Sequence, residues 1–290
     1  MKALIYGQKW KRDNDQFIKV LLDKLDKEGF EYAFSDSMAK EAPISLGNHP
    51  VIASQLALKE YEPELIITLG GDGTILSAVT MIRELEIPIL GINLGRLGFL
   101  ASIEQQRIEE AIDLYIGNKY SISKRAMIEL VTEPSTFGDD NYALNDFTIL
   151  KRDNSSMIVL HTYVDGEFLN SYWADGLIVS TPTGSTGYNL SCGGPIIFPT
   201  SDNFILTPVA PHNLNVRPVV LSSAHELTFK IEGRSQNYLC TLDSRHTTIT
   251  SDYELKLKKN RFETKLIKLE GDNFMSTIRH KLNWGLDKRN

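Results

Sequence analysis

The sequence predicts an α/β domain, a parallel sheet with flanking helices, followed by a β-rich domain, and three observations carry that expectation. Up to about residue 120, short apolar runs alternate with stretches of helical spacing. That order is the pattern of strands joined through crossover helices. Beyond Tyr120 strand-like runs dominate, separated by turn formers. Between residues 65 and 79 an apolar run stops at paired glycines and resumes with helical spacing, which reads as strand, tight turn and helix start.

The elements follow in order. Ala3–Tyr6 is a short strand, and Phe17, Ile18, Leu21, Leu22 and Leu25 mark the apolar face of a helix that closes at Gly29. Strands are expected at Tyr32–Phe34, Leu65–Leu69 and Ile87–Ile92, with a helix after Gly73 running towards Pro88. Residues 36–50 read as loop, with a helix starting near Pro50. Ile108, Ala111, Ile112 and Tyr115 form one more helix face, ended by Gly117. In the second part, strands are expected at 126–132, 142–150, 157–164, 176–180, 205–209, 219–221, 226–231, 238–242, 247–250 and 254–257. Asp165-Gly166 between two alternating runs is a hairpin signal. Phe274, Ile278 and Leu282 return to helical spacing. The expected division is therefore 1–120, with 272–290 packing back on it, and 121–271.

Composition narrows the function classes. The 290 residues are 42% hydrophobic and 23% charged, ordinary for a globular chain, and enough for two domains. A net charge of −6 argues against a nucleic-acid or anionic-membrane partner held by bulk electrostatics. Cys192 and Cys240 lie far apart without metal-ligand spacing, so neither a disulfide framework nor a zinc site is expected. No apolar run approaches the ~20 residues of a membrane span, and the N-terminus does not resemble a signal peptide. A reducing, cytoplasmic setting follows as the expectation.

Four stretches carry candidate chemistry. In Gly70-Gly71-Asp72-Gly73-Thr74 the glycines admit a phosphate to the backbone N–H groups and the helix start supplies unsatisfied donors. An acid there would repel that phosphate, so Asp72 either meets a hydroxyl beside it or caps the helix. In Asp175–Ser191, five Ser/Thr hydroxyls fall between positions 180 and 186, ahead of Tyr188. That is more than a turn requires, and it favours a ribose or adenosine ligand over an ST-rich turn. Asn145 and Asp146 break strand propensity, as either a site or a strand end would. The stretch from Gly91 to Leu100 is again strand into glycine-rich loop, with Arg96 the candidate anion contact. Neither glycine stretch fits G-x-G-x-x-G, which disfavours an ordinary dinucleotide-dependent dehydrogenase. The six histidines are scattered and carry no nucleophile or metal pattern.

Taken together in this order, Gly-Gly-Asp-Gly-Thr at 70–74, Asn-Leu-Gly-Arg-Leu-Gly-Phe-Leu at 93–100, Leu-Asn-Asp at 144–146, the run 175–188 and Pro-Val-Ala-Pro-His at 208–212 resemble the NAD kinase family. The resemblance covers about residues 1–285 and implies ATP-dependent phosphorylation of NAD to NADP. It implies an active site in the crevice between the two domains, a β-rich domain that binds NAD, and a homodimer or homotetramer. It also implies roles for individual residues. Asp72 takes the proton from the adenosine 2′-hydroxyl, with Gly73 beside it, and Gly70, Gly71, Gly73 and Thr74 form the phosphate-donor loop. Asn145 and Asp146 hold the NAD ribose and nicotinamide end. Trp173, Asp175, Thr186, Gly187, Tyr188, Asn189, Leu190, Ser191, Ala210 and Arg245 make further NAD contacts. Gly187 replaces a common Ala, and Trp173 stands where several relatives carry a basic residue. No protein-built metal cage is expected; a divalent cation, Mg²⁺, would arrive with ATP. The rival readings are a lipid or sugar kinase sharing the 70–74 loop, and a non-catalytic NAD-binding sensor.

Overall fold

A computed structural model describes residues 1–8, 12–41, 48–152 and 156–285. The chain divides into two compact units, 1–124 with 264–290, and 125–263. In chain order the first unit opens with β1 (Lys2–Tyr6), α1 (Asp15–Lys27), β2 (Glu31–Ser35), α2 (Asp36–Glu41), β3 (Val51–Ile52) and α3 (Gln55–Tyr61). It continues with β4 (Leu65–Leu69), α4 (Asp72–Ile82), β5 (Ile89–Asn93), β6 (Ile103–Glu104), α5 (Ile108–Ile116) and β7 (Tyr120–Arg125).

These strands form one sheet, ordered β3-β2-β1-β4-β5, with β6 also on β5. The pairs β1–β2, β1–β4 and β4–β5 are parallel, Ala3 lying opposite Leu65 and Ile67 opposite Leu90. The central strands are apolar at nearly every position because both faces are covered. Ala3, Ile5, Leu65, Ile67 and Ile92 join Ile18, Leu21 and Leu25 of α1 and Ile108 and Ile112 of α5 in one cluster. Their alternates, Leu4, Ile66 and Ile89, point the other way. On that face Gly91 lets Ile75 of α4 approach; an added Cβ would lie 2.8 Å from its Cδ1. The chain leaves β1 outward to β2 and β3, then returns to β4 on the other side of β1. That reversal creates a crevice at the carboxyl ends of β1 and β4, the usual ligand position in such sheets.

The helix expected near Pro50 is not there: α3 begins at Gln55, where Ser54 Oγ accepts from Ala57 N–H at 3.2 Å. Residues 36–41 are helical, and 42–47 lie outside the described residues.

The second unit contains β8 (Ile128–Val131), β9 (Tyr142–Ala143), β10 (Asp146–Lys151), β11 (Ile158–Val164), β12 (Glu167–Ala174) and β13 (Gly176–Ser180). After them come α6 (Tyr188–Ser191), β14 (Asn203–Val209), β15 (Val219–Ser222), β16 (Leu227–Glu232), β17 (Tyr238–Leu242), β18 (Arg245–Ile249) and β19 (Leu255–Lys259). Two six-stranded sheets result, β15-β14-β13-β10-β17-β18 and β12-β11-β16-β19-β8-β9. Their inner faces share one core, in which Phe147 of one sheet stacks on Phe229 of the other at 6.2 Å. The hairpin expected at Asp165-Gly166 is present, with φ of 50° and 83°, the paired positive values of a two-residue turn.

One expected strand, 142–150, is two. Tyr142–Ala143 belongs to one sheet and Asp146–Lys151 to the other, so Leu144 and Asn145 are the crossing. The chain then returns to the first unit through β20 (Thr264–Leu269), parallel to β5, and α7 (Phe274–Leu282), capped by Asn273.

Phe147 is fully buried between the sheets of the second unit. Phe147→Ala should cost about 3–5 kcal/mol, read as a lower urea midpoint.

Candidate active site

The site residues of the first unit are set by the turn from β4 into α4. Gly70 is required there, because an added Cβ would overlap Thr74 Oγ1. The N-cap of α4 is Gly71, and Asp72 is already the first helical residue, so its side chain does not cap the helix. Its carboxylate reaches the other glycine-rich stretch instead. Oδ2 accepts from Phe99 N–H at 2.9 Å, and Oδ1 accepts from Leu100 and Ala101 N–H at 3.0 and 2.9 Å. Gly98 makes room for this, since a Cβ there would overlap Asp72 Oδ1. Asn93 holds the rest of that loop, its Oδ1 accepting from Gly95 N–H at 2.7 Å. Two motifs that the sequence keeps apart are thus one object, joined through Asp72. Arg96 stands exposed on the same loop, with no ion-pair partner among the described residues. A cavity of about 590 Å³ opens beside the Gly70-Gly71 turn and Arg96.

In the second unit the crossing at Leu144–Asn145 is held by a residue the sequence did not single out. Asp243 heads the two-residue turn between β17 and β18. Its carboxylate accepts from Leu144, Asn145 and Asp146 N–H at 2.9, 2.7 and 3.2 Å. From the other side, Asn145 C=O accepts from Thr181 N–H at 2.9 Å. Gly184 packs so closely there that a Cβ would overlap the same carbonyl. Asn145 therefore has a fixed backbone, and its amide side chain has no partner among the described residues. An acid at the head of a two-residue hairpin was the only local sign of Asp243; its partners lie almost a hundred residues away.

The hydroxyl-rich stretch does something other than the sequence suggested. Ser180, Thr181 and Ser185 are fully buried. Thr181 Oγ1 donates to Leu144 C=O at 2.6 Å, and Ser185 Oγ donates to Pro182 C=O at 2.7 Å. Thr183 Oγ1 accepts from Arg125, a buried guanidinium that burial pushes down to about 10. The surplus of hydroxyls braces the turn from within; only Thr186 among the five is left half-buried. Asn189 is likewise spent inside: Nδ2 donates to Ser185 and Pro195 C=O at 3.0 and 3.1 Å, and Oδ1 accepts from Thr207 Oγ1 at 2.6 Å. Its side chain offers a ligand nothing.

The surface that this bracing leaves open is different. Tyr188 and Ser191 are exposed, and Gly187 and Leu190 are half-buried. Asp146 lies close by, 3.8 Å from where a Cβ on Gly187 would be. Asp175 pairs with Lys151 at 2.6 Å. Trp173 is exposed on β12, its ring centroid 6.5 Å from that of His212. Ala210 leaves β14 with φ of 45°, a conformation that costs a side-chain-bearing residue roughly 1–2 kcal/mol. Arg245 donates to Asp140 and Tyr142 C=O, so its guanidinium is committed to the fold.

Asp146 is buried without a donor to its carboxylate. Burial, and then the nearby Asp243 carboxylate, push it up to about 7. Near pH 4 and below, the group is protonated folded and unfolded alike, and burial costs little. Between pH 4 and 7 the unfolded chain gives up the proton while the folded chain keeps it, so stability falls; above 7 the loss is complete. Asp146→Asn stays neutral throughout. Its melting temperature should match wild type near pH 3 and exceed it at pH 8, a gain of roughly 2–4 kcal/mol. Thermal melts of both proteins across that range test this.

Comparison with known proteins bears on both units. The ATP-NAD kinase N-terminal domain profile matches residues 14–120, and the ATP-NAD kinase C-terminal domain profile matches residues 144–269. The chain is 46% identical to the NAD kinase of Cytophaga hutchinsonii, over 99% of each chain. It is 42% identical to that of Flavobacterium psychrophilum, over 100% of each. Among solved structures, yeast NADH kinase complexed with NADH has the same fold, with a TM-score of 0.85 at 22% identity, covering 98% of this chain and 88% of that one. An NAD kinase from Archaeoglobus fulgidus in complex with ATP gives a TM-score of 0.77 at 25% identity, covering 98% and 99%. On these matches the chain belongs to the ATP-NAD kinase family and is a kinase of NAD.

Proposed function

We propose that the protein transfers the γ-phosphoryl group of ATP to the 2′-hydroxyl of the adenosine ribose of NAD, with Asp72 as proton acceptor. The observation that carries this is the placement of Asp72. It stands on the glycine turn that suits a phosphate, fixed by three main-chain N–H groups. Oδ1 receives two of these and Oδ2 one, which leaves Oδ2 a lone pair for a hydroxyl donor. In the reaction the hydroxyl O–H bond breaks and its proton goes to Asp72. The oxygen bonds the γ-phosphorus as the bond to the β–γ bridging oxygen breaks, and ADP leaves with that electron pair. Such a transfer asks mainly for alignment and charge stabilisation.

On the acceptor side, the free amide of Asn145 and the carboxylate of Asp146 suit ribose hydroxyls, which donate and accept. Tyr188 offers a face, with Gly187, Leu190, Ser191, Thr186, Asp175, Ala210 and Trp173 as further NAD contacts in this reading. A divalent cation, Mg²⁺, would come with the triphosphate, whose oxygens hold it and whose charge it neutralises. Among the described residues no three His, Cys, Asp or Glu side chains converge. A cytoplasmic homodimer or homotetramer belongs to the same reading. Its support is the exposed Phe168, Leu169 and Trp173 on β12, an edge strand, and the lack of any described helix long and apolar enough to cross a membrane.

NADP formation from NAD, ATP and Mg²⁺, read with an NADP-specific dehydrogenase, tests the reaction. Asp72→Asn should lower kcat by about 10²–10⁴-fold while NAD still binds. Near-wild-type turnover in that variant would remove Asp72 from its role, and NAD binding without any NADP in wild type would favour a sensor. Gly98→Ala should push the Asp72 carboxylate off its seat and lower kcat by roughly 10–100-fold, with KM for NAD nearly unchanged.

A further inference from the structure

After residue 263 the chain returns to the first unit, and the returning segment meets the loop that seats Asp72. It is fastened to residues 99–107 at three places. Lys268 of β20 donates from Nζ to Ser102 Oγ at 3.0 Å, one residue beyond the last N–H that Asp72 accepts. Asp272, in the turn ahead of α7, pairs with Arg107 at 3.0 Å. On α7 itself, Lys281 sets its ammonium over the Phe99 ring, 5.6 Å from the centroid. At that distance a cation is drawn to an aromatic face.

Phe99 is the residue of that loop on which Asp72 Oδ2 depends. Its N–H reaches Oδ2 at 2.9 Å, whereas Leu100 and Ala101 serve Oδ1. Leu100 and Ala101 are buried and lie close over Gly91, so packing fixes them. Phe99 is only half-buried and follows Gly98, so less holds its backbone. Its ring is the handle by which it can be held, and Lys281 is on that handle. Lys281 is also one of three basic residues in the last turn of α7, with Arg279 and His280, where any cation suits the helix dipole. Among the described residues, Lys281 alone of the three meets an aromatic ring.

We propose that Lys281 is a positioning residue for phosphoryl transfer: its ammonium holds the Phe99 ring, and the Phe99 N–H then keeps Asp72 Oδ2 turned to the acceptor hydroxyl. This rests on the role given to Asp72 above and extends the site to α7. Lys281 does not touch the reacting atoms in this arrangement. Its loss leaves both substrates bound and the carboxylate present, but less well aimed. Transfer depends on alignment, so a small displacement of the proton-accepting oxygen is read in kcat and not in binding.

The test uses the full chain with NAD, ATP and Mg²⁺. Lys281→Met keeps an unbranched apolar side chain and removes the charge. It should lower kcat by about 3–10-fold, with KM for NAD, KM for ATP and the melting temperature at wild-type values. Lys281→Arg, whose guanidinium also stacks on rings, should restore most of the rate. Phe99→Leu should lower kcat by a like factor, and adding Lys281→Met to it should cost nothing further. Arg279→Met, which removes a charge from the same turn of α7, should turn over as wild type does. Wild-type kcat in Lys281→Met, a loss that Arg279→Met shares, or a loss that appears as a raised KM for ATP overturns the proposal. If wild type makes no NADP, it is the reaction that fails, and deuterium exchange of residues 98–102 then decides the contact alone. Faster exchange there in Lys281→Met than in wild type supports the hold on Phe99, and equal exchange overturns it.

Discussion

Each unit depends on a carboxylate that accepts three consecutive main-chain N–H groups. Asp72 gathers residues 99–101 in the first unit, and Asp243 gathers 144–146 in the second. In neither place could the chain satisfy those donors by secondary structure, because one stretch is a glycine-rich loop and the other crosses between sheets. A buried N–H without a partner is costly, so the acid is what allows an irregular backbone to persist there. Charge-assisted bonds to N–H are also directional, which turns two flexible stretches into fixed ones. The glycines follow from the same constraint. Gly98 is small because Asp72 must come close, and Gly184 because the 181–186 turn must lie on Asn145.

The two neighbouring acids of the second unit show how environment divides labour. Asp243 is pushed up by burial, but it is filled with donors and has Arg245 nearby, which offset part of that push. Asp146 has the burial without the donors. A fold selected for stability alone would not keep such a group; one that needs an open acceptor for a hydroxyl-bearing ligand would. Ala210, strained at positive φ on leaving β14, is a second instance of stability given up locally.

Much of this was legible in the chain, for physical reasons. Strands buried on both faces leave uninterrupted apolar runs, so β1, β4 and β5 were plain. The hairpin at Asp165-Gly166 was visible because only certain residues accept two positive φ values in succession. What alternation with lysine and serine disguised was missed: β7 (Tyr120–Arg125) and β20, whose Thr264-Lys-Leu-Ile-Lys-Leu shows few apolar neighbours. The 142–150 stretch looked continuous because propensity is blind to which sheet a strand joins. At the site, the motifs located the right segments but not the direction of each side chain. Composition could count five hydroxyls between 180 and 186, yet it could not tell that buried Ser180, Thr181 and Ser185 face inward to brace the turn. Nor could it find Asp243, whose contribution exists only once β17 and β18 lie beside β10.

The charge balance explains why the machinery takes this form. A chain of net charge −6 gains nothing from bulk attraction when it handles a triphosphate and a dinucleotide. Among the described residues of the first unit, the anion-attracting groups beside the cavity are one unpaired arginine and the N–H groups at the start of α4. Diffuse positive charge would bind ground state and transition state alike, and uniform binding does not speed the chemical step. Fixed dipoles aimed at one place stabilise charge where it develops and need no reorganisation when it does. For phosphoryl transfer, where alignment and local stabilisation are nearly all that a protein can supply, a rigid turn held by Asp72 serves better than a basic patch.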